Sequence, residues 1–174
     1  LNLSATQLQK GTILLGKIGT DYRLQVSGVT ALNAAKLATN AHVAGISVSD
    51  TSANISSQLT ALSSNERLSR INLTTPATNI SVAASQLDSL SGLRDKMGTS
   101  YGLAITQATS AQAVSYASDL RIKSVSILDS TAGIAGNLDD LKTLGLRLKE
   151  IRTTANQPAL QVSAEQVSKD ALVI

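Results

Sequence analysis

His42 is the single histidine of a chain rich in serine and threonine, so any relay that activates a hydroxyl through imidazole would have to converge on it. It stands just before an apolar segment opening at Val43, and the matching position in the second half of the chain holds Arg121. A group that cannot shuttle a proton serves equally well there, which favours a solvent-facing connector over a catalytic base. Lys17 and Lys96 could assist a serine nucleophile instead. Each lies two residues before a glycine, Gly19 or Gly98, the arrangement of a helix exit where a cation meets the negative end of the helix dipole. Asp50 and Asp129, with Ser4, Ser27 and Ser163, sit where an alternating segment gives way to a helical one. A short oxygen-bearing side chain at such a corner accepts hydrogen bonds from the first free N–H groups of the helix, so these five residues are read as helix N-caps. Thr106 and the pair Ala83 and Ala84 occupy the same corner. A structural requirement recurs with every unit, whereas an active site usually occurs once.

Other chemistry is limited by what the composition lacks. Without cysteine there is no disulfide, no thiolate metal ligand and no cysteine nucleophile. The acids are scattered singly except for Asp139 and Asp140, whose side chains leave a helix in adjacent directions instead of converging. No metal and no other cofactor is therefore expected. The glycines do not form the G-x-x-x-x-G-K-[ST] run of a phosphate loop. With no Phe, no Trp and three Tyr (Tyr22, Tyr101, Tyr116), stacking platforms for sugars or bases are sparse. The formal charge is +3, and Arg121, Lys123, Arg147, Lys149 and Arg152 are read as a solvated face rather than a dense basic stripe, so no nucleic-acid partner is expected. No run approaches the roughly 18 apolar residues that span a bilayer, so membrane insertion is not expected.

What must position these residues is a repeat. Residues 8–62 align without a gap on residues 87–141 at a constant offset of 79, with Lys17 on Lys96, Tyr22 on Tyr101, Asp50 on Asp129, Ile55 on Ile134 and Leu59 on Leu138. LQVSAEQV (Leu160–Val167) echoes both LNLSATQL (Leu1–Leu8) and ISVAASQL (Ile80–Leu87). One copy is taken as about 1–79, a second as about 80–158 and the start of a third as 159–174, an excerpt of a longer chain. Alternating apolar residues predict strands at Leu1–Leu3, Tyr22–Val26, Val43–Val48, Leu68–Leu73, Asn79–Val82, Gly102–Ile105, Ile122–Leu128, Leu148–Ile151 and Leu160–Val162. Wider apolar spacing predicts helices such as Ala53–Leu62 and Ala132–Leu144. Strands alternating with helices pair in parallel through right-handed crossovers. The fold expected is an α/β chain, a repetitive parallel solenoid of strand-helix units, with a compact α/β domain as the alternative.

The run ISVSDTSANISSQLTAL (Ile46–Leu62), followed by LSRINLTT (Leu68–Thr75), resembles the repeats of very large type I secreted, adhesin-like surface proteins of Gram-negative bacteria. VSILDSTAGIAGNLDDL (Val125–Leu141) is similar in more diverged form. Thr74 and Thr75 stand where that family often has Thr-Asp, and no G-G-x-G-x-D nonapeptide is present, so calcium binding is not implied for this segment. The resemblance implies an exported, extracellular or cell-surface array acting without catalysis as stalk, spacer or adhesive segment. Its partners would be neighbouring repeats and surface glycans or proteins. The alternative is a carbohydrate-binding or polysaccharide-processing module using one face, on which Arg121 and Lys123 are the candidate ligand residues. A filament subunit of the flagellar kind, also Ser/Thr/Asn/Ala-rich, ranks third because such subunits lack a strand-bearing repeat of this length.

Overall fold

A computed structural model describes residues 1–19, 21–75, 78–98 and 101–169. Strand β1 (Asn2–Ser4) leads into helix α1 (Ala5–Leu15), β2 (Leu24–Val29) into α2 (Ala31–Ala38), and β3 (Val43–Asp50) into α3 (Ser52–Ser57) and α4 (Leu59–Ser63), before β4 (Leu68–Leu73). The succession then starts again. Strand β5 (Asn79–Ala83) runs into two 3-10 turns (Ala84–Gln86, Asp88–Leu90) and α5 (Ser91–Lys96); β6 (Gly102–Ala108) is followed by α6 (Ser110–Ser115) and β7 (Ile122–Asp129) by α7 (Thr131–Leu141). A 3-10 segment (Lys142–Arg147) feeds β8 (Leu148–Thr153), and α8 (Ala164–Lys169) is the last described helix.

The chain is an α/β protein with two parallel four-stranded sheets, ordered β1-β2-β3-β4 and β5-β6-β7-β8, an arrangement that fits a compact α/β domain. It divides into two units. The first comprises Leu1–Thr78 with Ser89–Tyr101, the second Asn79–Asp88 with Gly102–Ile174, so α5 belongs to the first unit although the strands flanking it belong to the second.

Within each unit, burial alternates along the strands. Leu24, Val26 and Val29 of β2 are buried while Gln25, Ser27 and Gly28 are exposed, and in β7 Ile122, Val125 and Ile127 are buried. A sheet wound on both faces would read as a continuous apolar run. Here one face carries the core and the other is dressed with Ser, Thr and Asn. On that second face Ser27 Oγ donates to Leu3 O, Ser69 Oγ to Ile46 O and Thr106 Oγ1 to Val82 O. Aliphatic residues fill most of the apolar side, Ile46, Ile55 and Leu62 in the first unit and Ile127, Ile134 and Leu138 in the second, joined in the first by buried Tyr101 and Met97. Their similar volumes suit thin layers laid strand upon strand.

The two sheets also share their irregularities. Register steps fall between Leu24 and Gln25 and between Val26 and Val29 in the first unit, and 79 residues later between Leu103 and Ala104 and between Ile105 and Ala108 in the second. A third step lies between Ile46 and Ser47 and again between Val125 and Ser126. The second step holds a left-handed residue in both units, Gly28 (φ 67°) and Gln107 (φ 56°).

That bulge corrects two expectations. The strand expected over Tyr22–Val26 is β2, Leu24–Val29: the left-handed residue at 28 absorbs one position and lets pairing resume at Val29. Ser27 is therefore not a helix cap but an exposed strand residue, and the cap position moves to Thr30. Thr106 lies inside β6 for the same reason, and Thr109 caps α6. The helix expected over Ala53–Leu62 is broken at Gln58 (φ −116°, ψ 12°). Just before the break, Ser56 Oγ donates to Ser52 O and Ser57 Oγ to Asn54 O, bonds that bend a helix by competing with its ladder. Leu160–Val162 forms no strand, because alternation creates a strand only where a neighbour supplies the ladder and none of the described strands does.

Candidate functional site

The most structured polar constellation in each unit surrounds the recurring aspartate. Asp50 ends β3 and is buried. Its Oδ2 accepts from Ala31 N–H (2.9 Å), the first residue of α2 in the neighbouring strand-helix unit. Its Oδ1 accepts from Thr51 N–H (2.8 Å) and Asn54 Nδ2 (2.7 Å). Asp129 ends β7 and does the same: Oδ2 accepts from Ser110 N–H (2.8 Å) at the start of α6, and Oδ1 from Ser130 N–H (2.7 Å). Neither aspartate is the N-cap of the helix that follows it, as its position suggested. Thr51 and Ser130 are those caps, their hydroxyls accepting from Asn54 N–H and Gly133 N–H. The aspartates instead reach sideways to the helix start of the preceding strand-helix unit; there Thr30 makes no side-chain cap bond, whereas Thr109 forms a capping box with Gln112. Burial pushes both carboxyls up, but the hydrogen bonds outweigh it, Asn54, Ala31 and Thr51 for Asp50 and chiefly Ser110 and Ser130 for Asp129, so both lie below the ordinary 3.8. A carboxylate held this way is a stabilised anion, the opposite of a poised general base.

The other end of the same helices is held by arginine. Arg67, just before β4, donates through Nη1 to Asn40 O in the turn after α2. Arg147, just before β8, donates through Nη2 to Ala117 O (2.6 Å) and through Nη1 to Asp119 O (3.4 Å) in the turn after α6. Each of these helices thus has an anion at its positive end and a cation at its negative end, both supplied by the next strand-helix unit. Asn40, Asn65 and Asp119 shape the turns themselves: their side-chain oxygens accept from the N–H two residues on, at His42, Arg67 and Arg121. Buried Asn65 also donates to Ala34 O (3.1 Å).

Ser4 caps α1, with its hydroxyl accepting from Gln7 N–H (3.1 Å) while Gln7 Oε1 accepts from Ser4 N–H (2.8 Å). Ser163 and Gln166 form the same reciprocal pair at α8. Lys123 sits at the bulged start of β7, where its Nζ donates to Leu120 O (2.7 Å), and Arg121 is half-buried with its carbonyl accepting from Leu103 N–H. Among the basic residues of this half, Arg147 donates to carbonyls and Arg152 to Glu150 (2.6 Å). Asp139 and Asp140 are both exposed on α7. Among the described residues no group of His, Asp and Glu is placed to hold a metal ion, and no helix is long and apolar enough to cross a membrane. Lys96 lies in the last turn of α5 before left-handed Gly98, whereas α1 ends earlier, at Gly16, and Lys17 follows it.

His42 is exposed and its ring stacks on Tyr22, centroids 4.2 Å apart and planes 6° from parallel. Both line a groove of about 800 Å³ between α1 and α2, with Gln9, Thr12, Asn33 and Lys36. Tyr101, the counterpart of Tyr22, is instead buried, with Arg94 Nε donating to its hydroxyl (3.4 Å). The aspartates stood out in the sequence because they recur; the arginines were missed in this role, though Arg67 and Arg147 each directly precede a strand. No protein-family model, no curated protein and no solved structure matches the chain.

Proposed function

We propose that this chain is a non-enzymatic module of an exported surface array, a parallel strand-helix solenoid serving as stalk, spacer or adhesive segment at the cell surface. The observation that carries the reading is the paired clamp: an aspartate and an arginine from one strand-helix unit hold both ends of the helix in the unit before it, at Asp50 and Arg67 and again at Asp129 and Arg147. Such a device joins each unit to its neighbour in sequence, the logic of a quasi-one-dimensional protein. It also engages the residues best suited to chemistry in holding backbone. The unreversed strand order, the single covered face of each sheet and the resemblance to secreted repeats support the same reading.

A tandem chain tests it. Residues 1–159 joined to a following full chain keep the phase of the repeat, and small-angle scattering would measure the maximum dimension. Eight added strands at about 4.8 Å spacing should lengthen the particle by roughly 40 Å. A tandem particle with three equal axes would sink the reading.

The groove beside Tyr22 and His42 favours a second reading, a carbohydrate-binding module, since a stacked aromatic pair rimmed by amides and a lysine offers a flat face and hydrogen bonds to a sugar. Saturable binding of an oligosaccharide that Tyr22→Ala abolishes would support it. Binding unchanged by that substitution would remove the groove from consideration.

A further inference from the structure

The groove between α1 and α2 differs in charge from the matching positions of the repeat's second copy. Its floor is apolar, with buried Leu24 and Val29 and half-buried Leu8, Leu15 and Leu37. Its rim carries Lys36 and a set of side chains able both to donate and to accept, Thr6, Gln9, Thr12, Asn33 and Asn40. Among the described residues no carboxylate lines it. In the second copy, 79 residues on, Asp88 stands for Gln9, Asp95 for Gly16, Asp119 for Asn40 and Ser115 for Lys36. The aromatic residues change as well. Tyr101 is buried where Tyr22 is half-buried, and Tyr116 replaces Leu37; burial and then the nearby Asp88 carboxylate push the Tyr116 hydroxyl above its ordinary value. Both copies keep the aspartates that hold backbone, Asp50 and Asp129. A change of sign around one groove, with the frame kept, marks a demand other than folding.

We infer that this groove binds an acidic saccharide, a sugar chain whose rings bear a carboxylate, and that Lys36 selects it; the inference rests on the carbohydrate reading given above. The Tyr22–His42 stack supplies a flat apolar wall for a pyranose ring. His42 is held there, its Nδ1 3.4 Å from Tyr22 O and its backbone N–H donating to Asn40 Oδ1 (3.0 Å). Lys36 lies in the last turn of α2 and has no carboxylate partner among the described residues, so an incoming anion displaces none. Asn33 stands three residues earlier on the same helix, which puts its amide beside the ammonium on one helix face. One cation matches one carboxylate. The remaining rim of amides and hydroxyls matches the hydroxyls of a sugar, whereas a flat aromatic acid would leave those groups unanswered.

Isothermal titration calorimetry on the full chain at low salt tests this with short oligomers of galacturonate, of mannuronate and of hyaluronan, each beside its carboxyl-reduced neutral form. At least one acidic form should bind about fivefold more tightly than its neutral counterpart. Lys36 is exposed, so Lys36→Gln should fold as the parent does; it should erase that preference and leave the affinity for the neutral form unchanged. Lys36→Arg should retain the preference. Tyr22→Ala should abolish binding of both forms. Equal affinity for acidic and reduced forms, or a preference that survives Lys36→Gln, would overturn the inference, and loss of binding in Tyr22→Ala would then leave the carbohydrate reading standing. Binding of none of the oligomers by the parent chain, or binding untouched by Tyr22→Ala, would end both.

Discussion

The two units solve the same backbone problems with different side chains. At the clamp, the first unit places Asn54 so that its Nδ2 donates to Asp50, while the second has Gly133, where a Cβ would fall 2.5 Å from Asp129 Oδ2. Opposite the clamp stands Ala31 in the first unit and fully buried Ser110 in the second, whose hydroxyl makes no well-formed hydrogen bond. At the turn before the last strand, Asn65 bonds its neighbours in the first unit, and Gly145 (φ 51°, ψ −132°) adopts a conformation open mainly to glycine in the second. What both units keep is the demand: a free N–H at the helix start must meet a carboxylate, and the chain must turn sharply into the next strand. The carboxylate that answers the first demand is identical in both units, whereas the residues that assist it and those that make the turn differ.

Removing the shared element should have the largest effect. Asp50→Ala leaves Ala31 N–H buried and unpaired and removes charge-assisted bonds, a loss of about 2–3 kcal/mol. Amide hydrogen exchange would localise it, with Ala31 and Thr51 exchanging faster while Ser110 and Ser130 keep their protection. Loss of protection at all four amides would mean that the units do not open separately. The clamps also set the acid limb of stability. Because both folded carboxyls lie below the 3.8 of the unfolded chain, their contribution is complete above that value and is lost as pH falls through the folded one. Denaturation midpoints measured from pH 6 down to pH 2 should therefore fall steeply below about pH 4 in the parent, and less steeply in Asp50→Asn with Asp129→Asn. An unchanged slope in the double variant would assign the acid limb to other carboxyls.

The turns come next. Gly145→Ala forces a side chain into a glycine conformation and should cost about 1–3 kcal/mol, although the space around it is open. Asn65→Ala, which loses one donated and one accepted bond, should cost about 1–2 kcal/mol. Asn65→Gly separates the two solutions. If backbone freedom alone suffices at this turn, part of the loss is recovered; if the Ala34 and Arg67 bonds are what matter, Asn65→Gly falls no higher than Asn65→Ala. Chemical denaturation of the three variants decides between these.

Much of this was readable in advance, and the failures share one cause. Strand and helix order followed from apolar spacing, and Asp50 and Asp129 drew attention by recurring. What periodicity could not show is which backbone group a side chain serves. An aspartate ending a strand looks like a cap for the next helix, because sequence proximity is the only distance a sequence contains. Its actual partner, Ala31, is 19 residues away across the sheet. The arginines at the opposite helix ends are equally non-local, Arg67 27 residues from Asn40 and Arg147 30 residues from Ala117, and Arg147 looked like solvated charge. Ser27 was misplaced by a bulge, and Leu160–Val162 has the pattern of a strand without the neighbour that makes one.

Helix capping gives a smaller test. Ala83 stands where Ser4 caps α1, and without a side-chain oxygen the chain leaves β5 through 3-10 turns instead of an α-helix. Gln86 already occupies the third helical position, so Ala83→Ser completes the Ser-x-x-Gln pattern and should add about 1 kcal/mol with a gain in far-ultraviolet helical signal. Increased stability without that signal would mean that the 3-10 geometry is imposed by packing rather than by the missing cap.

The smallest expected effect is at the shared bulge, where two terms nearly cancel. A side chain in the left-handed region costs about 1 kcal/mol, which Gln107 bears and Gly28 avoids. Glycine in turn loses more freedom on folding, by roughly 0.5–1 kcal/mol. Gln107→Gly should therefore stabilise the second unit by no more than a few tenths of a kcal/mol, and Gly28→Gln should destabilise the first by a similar amount, since a Cβ at 28 meets nothing within 4 Å. Equal and opposite shifts in denaturation midpoint would show that the two bulges are the same backbone carrying different residues. A Gly28→Gln loss well above 1 kcal/mol would show instead that the bulges differ in strain, and that Gln107 is supported by interactions the first unit lacks.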